Sequence, residues 1–293
     1  MGAAAMDTIV KVEKFPGVDS IAAPLEVLRT PGGSTANVAV GLSRLGNSCE
    51  FLGCCGEDSD GKLLKDSFLD EKVGISGLLS HPDWRTPGAF IAVNPQGERI
   101  MYSLGGDALY TDPAQLNGSD LTSADAIYIG EAFSGVAAEA AARIHDAGGK
   151  VFFGPGGVMC SFGLKELAPT IACCDTLFLS RTELAQLTED NIDSGAEKLL
   201  AIGAKAIVVT DGSKGAHRYT SQGHISVPAL KVTAVDTTGA GDAFTAAFIH
   251  SELSGASPEN ALQFACKAAA FAITKTGGRC SPTMDQINDW RIQ

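Results

Sequence analysis

Basic residues and long apolar runs are both scarce in this sequence. Its 293 residues include 22 Lys and Arg against 34 Asp and Glu, which gives a formal net charge of −12. This charge argues against nucleic acid or an anionic membrane as a partner, because both need a basic footprint. No apolar run approaches the length of a membrane span, and the first residues lack the basic and apolar regions of a signal peptide. We therefore expect a cytoplasmic protein.

Common cysteine and nucleotide motifs are missing as well. None of the eight cysteines forms a Cys-x-x-Cys pair and no His follows at zinc-finger spacing, so we expect buried, reduced thiols. The Gly-Lys-Ser/Thr of P-loop enzymes does not occur. Gly239-Ala-Gly241 begins like a dinucleotide fingerprint, but Phe244 stands where that fingerprint has Gly or Ala. A dinucleotide-dependent oxidoreductase is therefore disfavoured.

Strand and helix patterns alternate along most of the chain. From residue 126 onward, short apolar strands are separated by helices, which predicts a parallel sheet with helices on both faces. Residues 89–93 and 99–104 instead form a hairpin with no helix between its strands. We predict a three-layer α/β core, with 45% hydrophobic residues to fill it, and a small inserted β lid. The predicted core comprises residues 1–7, 31–88 and 105–293, and the predicted lid residues 8–30 and 89–104.

A late glycine-rich turn opens into a buried helix. Residues 240, 243, 244, 247 and 248 follow the spacing of one apolar helical face, and Gly239, Ala240 and Gly241 precede it closely. Free N–H groups and the positive end of the helix dipole form an anion site there. Asp242 lies in the first turn, where the dipole is expected to hold its carboxylate ionised. This placement suits a general base for phosphoryl transfer, and the alternative is a tight structural connection.

A second glycine-rich turn opens an early helix. Pro31-Gly-Gly-Ser-Thr-Ala-Asn37 precedes an apolar helical face that ends at Gly46. Asn37 is a poor choice for a helix interior because its amide competes with backbone bonds, and a ligand contact would explain it. Asp7 interrupts the first apolar strand. The local pattern favours an exposed strand end over a ligand-facing group at Asp7.

The two turns, in this order and at this separation, resemble the signatures of the ribokinase-like (PfkB-type) sugar and nucleoside kinases. The resemblance covers essentially the whole chain and includes residues 53–61, 210–215 and the glycines at 277 and 278. It implies a ribokinase-like fold and transfer of the ATP γ-phosphate to an acceptor hydroxymethyl group, with Mg²⁺ and, in some members, K⁺. The β lid often carries the dimer contact in this family, so we expect a homodimer formed through the lid.

The resemblance also implies a role for each matching residue. The base is Asp242, and the anion hole is formed by the amides of Gly239, Ala240 and Gly241. The acceptor site comprises Asp7, Gly32, Gly33, Asn37 and Glu131. For Glu131, an exposed loop residue is an equally good account. The nucleotide site comprises Ser180, Thr210, Gly212, Gly215 and Gly278. Glu183 would hold Mg²⁺ through water, while Asp236, the carbonyl of Thr238 and Ser281 would ligate a monovalent cation. A cap on its own turn is an alternative role for Asp236.

Three positions depart from the family pattern. The family's Asn-x-x-Glu is Ser180-Arg-Thr-Glu183, so a serine replaces the amide beside the metal-bound phosphates. The ribokinase-type Gly-Gly-Lys-Gly-Ala-Asn is Gly32-Gly-Ser-Thr-Ala-Asn37, and the missing Lys weakens the case for ribose and for a phosphorylated acceptor. The first strand begins almost at Met1, so we expect the true start of the protein to lie upstream.

Three hypotheses about function follow from these residues. A small sugar such as ribose, fructose or a keto-deoxy sugar acid is the first choice. A nucleoside is second, because Phe15, Phe90 and Tyr102 on the lid would stack on a base. The third is a sugar-binding regulator that has lost turnover. The retained Asp242 argues against this third hypothesis, and the serine at position 180 argues for it.

Overall fold

The computed structural model describes residues 1–291, in which strands and helices alternate. The strands are β1 (Ala5–Val12), β2 (Pro24–Gly32), β3 (Cys49–Glu50), β4 (Gly53–Gly56), β5 (Val73–Gly74), β6 (Leu78–His81), β7 (Gly88–Val93), β8 (Arg99–Gly105), β9 (Ala126–Ile129), β10 (Lys150–Phe153), β11 (Thr176–Ser180), β12 (Ala206–Thr210), β13 (Ala216–Thr220) and β14 (Gly223–Val227). The helices are α1 (Ser34–Arg44), α2 (Ser59–Asp70), α3 (Ser134–Asp146), α4 (Gly156–Cys160), α5 (Leu164–Ala172), α6 (Arg181–Thr188), α7 (Ile192–Ile202), α8 (Ala240–Leu253), α9 (Pro258–Ala272) and α10 (Met284–Asp289).

The larger sheet has the strand order β14-β13-β12-β11-β10-β9. Strands β9 to β12 run parallel, and β13 and β14 add an antiparallel hairpin at one edge. Beyond β9, the Gly130 N–H donates to Met1 O (2.9 Å) and the Gly2 N–H donates to Leu52 O (3.0 Å), so the first residues extend the same layer. The predicted parallel α/β sheet is confirmed.

Helices cover both faces of this sheet because alternate strand residues pack in opposite directions. Phe152, Phe178 and Val208 pack with α8 and α9 in one buried cluster. Phe153 and Leu179 pack on the other side with α3, α5, α6 and α7. Within residues 1–291, no helix is both long and apolar enough to cross a bilayer.

The smaller sheet has the strand order β2-β1-β7-β8 and forms the lid. Strands β1 and β7 are parallel, and the other neighbours are antiparallel. The predicted lid takes residues 8–30 from this part of the chain. In the structure Ala5 pairs with Gly32, so the sheet also contains residues 5–7 and 31–32. The lid sheet therefore includes Asp7 and continues into the residues that open α1.

The apolar pattern at residues 50–54 predicts a single strand, and this prediction is wrong. The chain forms two short parallel pairs here, β3 with β5 and β4 with β6. Between them, the Phe51 N–H donates to Gly74 O (2.8 Å) of β5, and the Gly53 N–H donates to Gly77 O (3.3 Å) in the loop that follows, so the backbone donors at this break are satisfied.

Candidate active site

A cleft of about 1140 Å³ separates the lid from the edge of the larger sheet. The early and late glycine turns both reach it, although more than 200 residues separate them in sequence. The predicted site residues that line the cleft are Asp7, Gly32, Gly33, Asn37, Glu131, Asp236, Thr238, Asp242 and Gly278. Residues from the acceptor, base and cation predictions therefore share one cleft.

Asp242 lies in the first turn of α8 and is held by two donors from the start of α1. Its Oδ1 accepts from the Ser34 hydroxyl (2.6 Å) and its Oδ2 from the Asn37 amide (2.8 Å). A carboxylate with two fixed donors keeps one orientation and has lone pairs left for an acceptor hydroxyl. The side chain predicted as the base is thus fixed where the two turns meet.

Burial raises the pKa of Asp242 to about 6. The bonds from Ser34 and Asn37 and the positive charge of Arg279 act in the opposite direction, and the negative charge of Glu183 adds to the rise. The pKa of this carboxylate is thus raised rather than lowered, because desolvation outweighs these favourable contacts, and the carboxylate is still mostly ionised at pH 7. A pKa near neutrality suits a general base.

The glycine turn before α8 presents backbone N–H groups beside this carboxylate. Gly239 has a φ of +76°, and a Cβ there would lie 1.9 Å from Gly278 O. Only glycine fits such a position. The Ala240 N–H donates to Thr237 O (3.3 Å), while no acceptor within residues 1–291 is bonded to the Gly239 and Gly241 N–H groups. Two of the three predicted anion-hole donors are therefore available.

Asp7 faces the cleft from the middle of β1. Its Oδ1 accepts from the Ala89 N–H (3.2 Å) of β7, and a Cβ on Gly32 would lie 2.1 Å from its Oδ2. Burial raises the pKa of Asp7, while the Ala89 bond and the charge of Arg279 partly offset this rise. The interpretation of Asp7 as an exposed strand end was wrong, because strand pairing with β2 and β7 surrounds it.

Glu131 follows the carboxyl end of β9 and is half-buried at the cleft. Its Oε2 accepts from the Thr35 hydroxyl (3.1 Å), and burial raises its pKa. The alternative of an exposed loop residue is therefore wrong. Glu131 and Asp242 are both tied to adjacent hydroxyls at the start of α1, so the acceptor and base predictions converge there.

The predicted nucleotide residues lie along the carboxyl edge of the larger sheet. Ser180 and Thr210 are register partners at the ends of β11 and β12. Gly212 and Gly215 have φ values of +56° and +108°, and a Cβ on Gly215 would lie 1.9 Å from Val227 O. The fold itself therefore requires glycine at 215. None of these four residues lines the cleft described above, in contrast to Gly278.

Ser180 and Glu183 cap the start of α6. The Glu183 N–H donates to Ser180 Oγ (3.2 Å), and the Ser180 N–H donates to Glu183 Oε2 (2.7 Å). This reciprocal capping box satisfies two backbone donors. It commits one carboxylate oxygen of Glu183 to the helix.

The predicted cation ligands are only partly brought together. Asp236 accepts from the Thr238 N–H and the Gly277 N–H, both at 2.9 Å, so it caps the turn. Burial would raise the pKa of Asp236, but these bonds and the charge of Arg99 lower it overall. The Ser281 carbonyl accepts instead from Arg44 (2.8 Å), and its side chain lies against α1.

Four residues that shape the site were not predicted from the sequence. Ser34 and Thr35 hold the two carboxylates, and their only signal was two hydroxyls inside the early turn. Arg99 reaches from β8 of the lid to the Thr238 hydroxyl. Arg279 follows Gly278 and donates to Asn37 Oδ1 (3.3 Å). No local pattern marks the two arginines, because both act across long sequence separations.

The cleft side of the lid is aliphatic rather than aromatic. Ile9, Ile91 and Met101 line the cleft. Phe90 and Tyr102 are not among the lining residues and instead pair with each other, with ring centroids 6.4 Å apart. The prediction that they would stack on a base in the cleft was therefore wrong.

The sequence model of the pfkB family of carbohydrate kinases matches residues 1–284. The chain belongs to this family. It is a phosphotransferase of the sugar kinase type. Its relatives are named as kinases of sugars and ribosides.

Curated relatives of this pfkB-family kinase act on several acceptors. It is 29% identical to the ATP-dependent ribose-1-phosphate kinase of Halopiger xanaduensis over 96% of this chain and 93% of the relative. It is 30% identical to the aminoimidazole riboside kinase of Salmonella typhimurium, over 89% of this chain and 88% of the relative. Fructokinase-2 of Solanum lycopersicum is also 30% identical, over 91% of this chain and 88% of the relative. By their names, these three relatives phosphorylate ribose 1-phosphate, a riboside and fructose.

Solved structures agree with the fold. Ribokinase from Thermotoga maritima superposes with a TM-score of 0.88 at 26% identity, covering 98% of this chain and 96% of that one. Arabidopsis thaliana ribokinase in complex with ribose and ATP gives the same TM-score at 25% identity and the same coverages. The ribokinase-like fold is confirmed, and the second of these structures holds ribose and ATP.

Proposed function

We propose that this kinase transfers the γ-phosphate of ATP to a hydroxymethyl group of a small sugar, with Asp242 as the base. One observation carries the proposal. Asp242 lies at the mouth of α8, beside free N–H groups, in the same cleft as Asp7 and the early Gly-Gly turn. A base, an anion site and a hydroxyl-binding carboxylate are what phosphoryl transfer to an alcohol needs.

In this proposal the residues of the cleft divide the reaction between them. Asp242 accepts the proton of the attacking hydroxyl, and Ser34 and Asn37 hold the carboxylate in line. The N–H groups of Gly239 and Gly241 stabilise negative charge on the transferred group. The lid excludes water from the cleft.

Mg²⁺ would neutralise the phosphates of bound ATP, and the donor set fits this role. Within residues 1–291, no cluster of three or more His, Cys, Asp or Glu is arranged to hold a metal. Mg²⁺ typically takes most of its ligands from phosphate and water and needs one or two carboxylates. Glu183 would provide that carboxylate through water with its remaining oxygen. Thr210, Gly212, Gly215, Ser180 and Gly278 would contact the nucleotide.

A monovalent cation would bind beside the anion site at Asp236 and the Thr238 carbonyl. The low pKa of Asp236 supports this proposal, because the carboxylate stays ionised. Ser281 is the weaker part of the predicted set, since Arg44 already binds its carbonyl.

For the acceptor, Asp7 and Glu131 would bind the hydroxyls, and Gly32, Gly33 and Asn37 would shape the site. A small sugar is the first choice because the cleft side of the lid offers aliphatic rather than aromatic side chains. A nucleoside is the second, supported by relatives named as nucleoside and riboside kinases. A regulator without turnover remains the third, and the fixed position of Asp242 speaks against it.

The kinase would form a homodimer through the lid. Val27 and Tyr102, both off the cleft-lining face of the lid, are 55% and 60% exposed. Burial of such side chains against a second copy would remove apolar surface from water. The cytoplasmic location stays a prediction.

The proposal is tested by an ADP-release screen over sugars, sugar acids and nucleosides with ATP and Mg²⁺, with and without K⁺. Asp242→Asn is the matched inactive control. We expect one class of acceptor to give turnover that the control lacks. ADP release in the variant equal to wild type would refute the role of Asp242, and stimulation by K⁺ would test the cation site separately.

A further inference from the structure

Arg279 is a partly buried cation that contacts Asn37, one of the two residues bonded to the proposed base. Its Nε donates to Asn37 Oδ1 (3.3 Å) and its Nη1 to the Ser67 hydroxyl (3.2 Å). The guanidinium carbon lies 5.7 Å from the centre of the Phe68 ring. Its Nη2 is buried and has no hydrogen-bond partner within residues 1–291. An incompletely paired buried cation is costly, so its position calls for a functional explanation.

The first consequence concerns the Asn37 amide. A guanidinium only donates hydrogen bonds, so the amide oxygen must face Arg279 and the NH₂ group must face Asp242. The reversed amide would set donor against donor on one side and oxygen against carboxylate on the other. Arg279 therefore selects the orientation in which Asn37 donates to the base (2.8 Å).

The second consequence concerns charge. Arg279 is the cation that favours the ionised form of Asp242, whereas Glu183 disfavours it. Glu131 and Tyr128 are also near enough to Asp242 for a charge interaction with it, and neither adds a positive charge.

Other charged groups around Arg279 do not replace it. Arg44 is committed to Glu71 through two hydrogen bonds, and Glu71 also attracts Arg279. The positive charge of Arg279 also favours the ionised form of the nearby Asp7 carboxylate. Removing Arg279 would therefore leave the base facing carboxylates without a compensating buried charge.

We propose that Arg279 is a positioning residue for phosphoryl transfer, which orients the Asn37 amide and keeps Asp242 ionised. This inference rests on the proposed role of Asp242. It assigns Arg279 no contact with acceptor or nucleotide, since Arg279 is not among the residues that line the cleft.

The test compares Arg279→Gln with Arg279→Lys. Gln keeps one donor for Asn37 but removes the charge, and Lys keeps the charge. Turnover is measured from pH 5.5 to 8.5, with acceptor affinity measured by calorimetry at pH 8.5. Lys275→Gln is the matched control, since it removes a nearby exposed charge that lies over Phe271 instead.

In Arg279→Gln we expect the acid limb of turnover to move to higher pH, so that activity relative to wild type is at least about threefold lower at pH 6 than at pH 8.5. Arg279→Lys should keep the wild-type acid limb, and acceptor affinity should change less than about threefold in both. A wild-type acid limb in Arg279→Gln, or an equal loss at every pH, overturns the proposal. If Arg279→Gln is unfolded by circular dichroism, a displaced acid limb in Arg279→Lys overturns it, and a retained one supports it.

Failure of the underlying function gives a different result. If Asp242→Asn retains turnover, the base assignment itself is wrong. If Asp242→Asn is inactive while Arg279→Gln titrates like wild type, only the role of Arg279 is wrong.

Discussion

Replacing the Asp242 carboxylate by an amide should abolish most turnover and stabilise the fold at the same time. In Asp242→Asn the amide oxygen would accept from Asn37 and the new NH₂ group would donate to the Ser34 hydroxyl, so both bonds survive. General-base catalysis is lost, and we expect turnover to fall by about 10²–10⁴.

The stability gain follows from the pKa of Asp242, which burial raises from 3.8 to about 6. The folded chain binds this proton more tightly than the unfolded chain, so the wild type loses stability as the pH rises from 3.8 through 6. At about 1.4 kcal/mol per pH unit, the loss reaches about 3 kcal/mol at pH 7 and about half of that at pH 5. Asparagine avoids this loss.

Urea denaturation at pH 7 and pH 5 measures the stability difference, and ADP release measures turnover. Asp66→Asn, which changes an exposed carboxylate on α2, is the matched control and should alter neither quantity. The reasoning is refuted if Asp242→Asn turns over like wild type. It is also refuted if the variant shows the same stability difference from wild type at both pH values.

Three further predictions address the pH profile, the acceptor and the glycine turn. Turnover should fall about tenfold per pH unit below pH 6, because only ionised Asp242 accepts a proton; a profile that stays flat to pH 4.5 would contradict this. Asp7→Ala should weaken acceptor binding by about 10–100-fold in calorimetry, since charge-assisted bonds are lost, and an unchanged affinity would remove Asp7 from the acceptor site. Gly239→Ala should lower the unfolding free energy by more than about 1–2 kcal/mol, because its φ is +76° and Gly278 O blocks the new Cβ. Gly135→Ala in α3, where the space is open, should instead stabilise by about 0.5–1 kcal/mol, with both free energies measured by urea denaturation.

The larger sheet was predictable because each of its parallel strands is a short apolar run between helices. The apolar runs at residues 126–129, 150–153 and 206–210 predict strands with the bounds that β9, β10 and β12 have, since both of their faces are covered and no residue in them needs to be polar. The end of β2 was missed because Thr30-Pro31-Gly32 carries little strand propensity. Only pairing with β1 makes this segment extended.

The glycine turns of the site were predictable because their chemistry is local. The partners of Asp242 were not, since Ser34 and Arg279 approach it from 208 and 37 residues away in sequence. The prediction of which lid residues face the cleft failed for another reason. Residues 90 and 91 point to opposite faces of β7, and both are apolar, so alternation alone cannot say which one faces the cleft.

Arg99 of β8 donates a hydrogen bond to the Thr238 hydroxyl, which joins the lid to the turn that precedes α8. A movement of β8 away from that turn would break this bond. The position of the lid is therefore tied to the side chain next to Gly239.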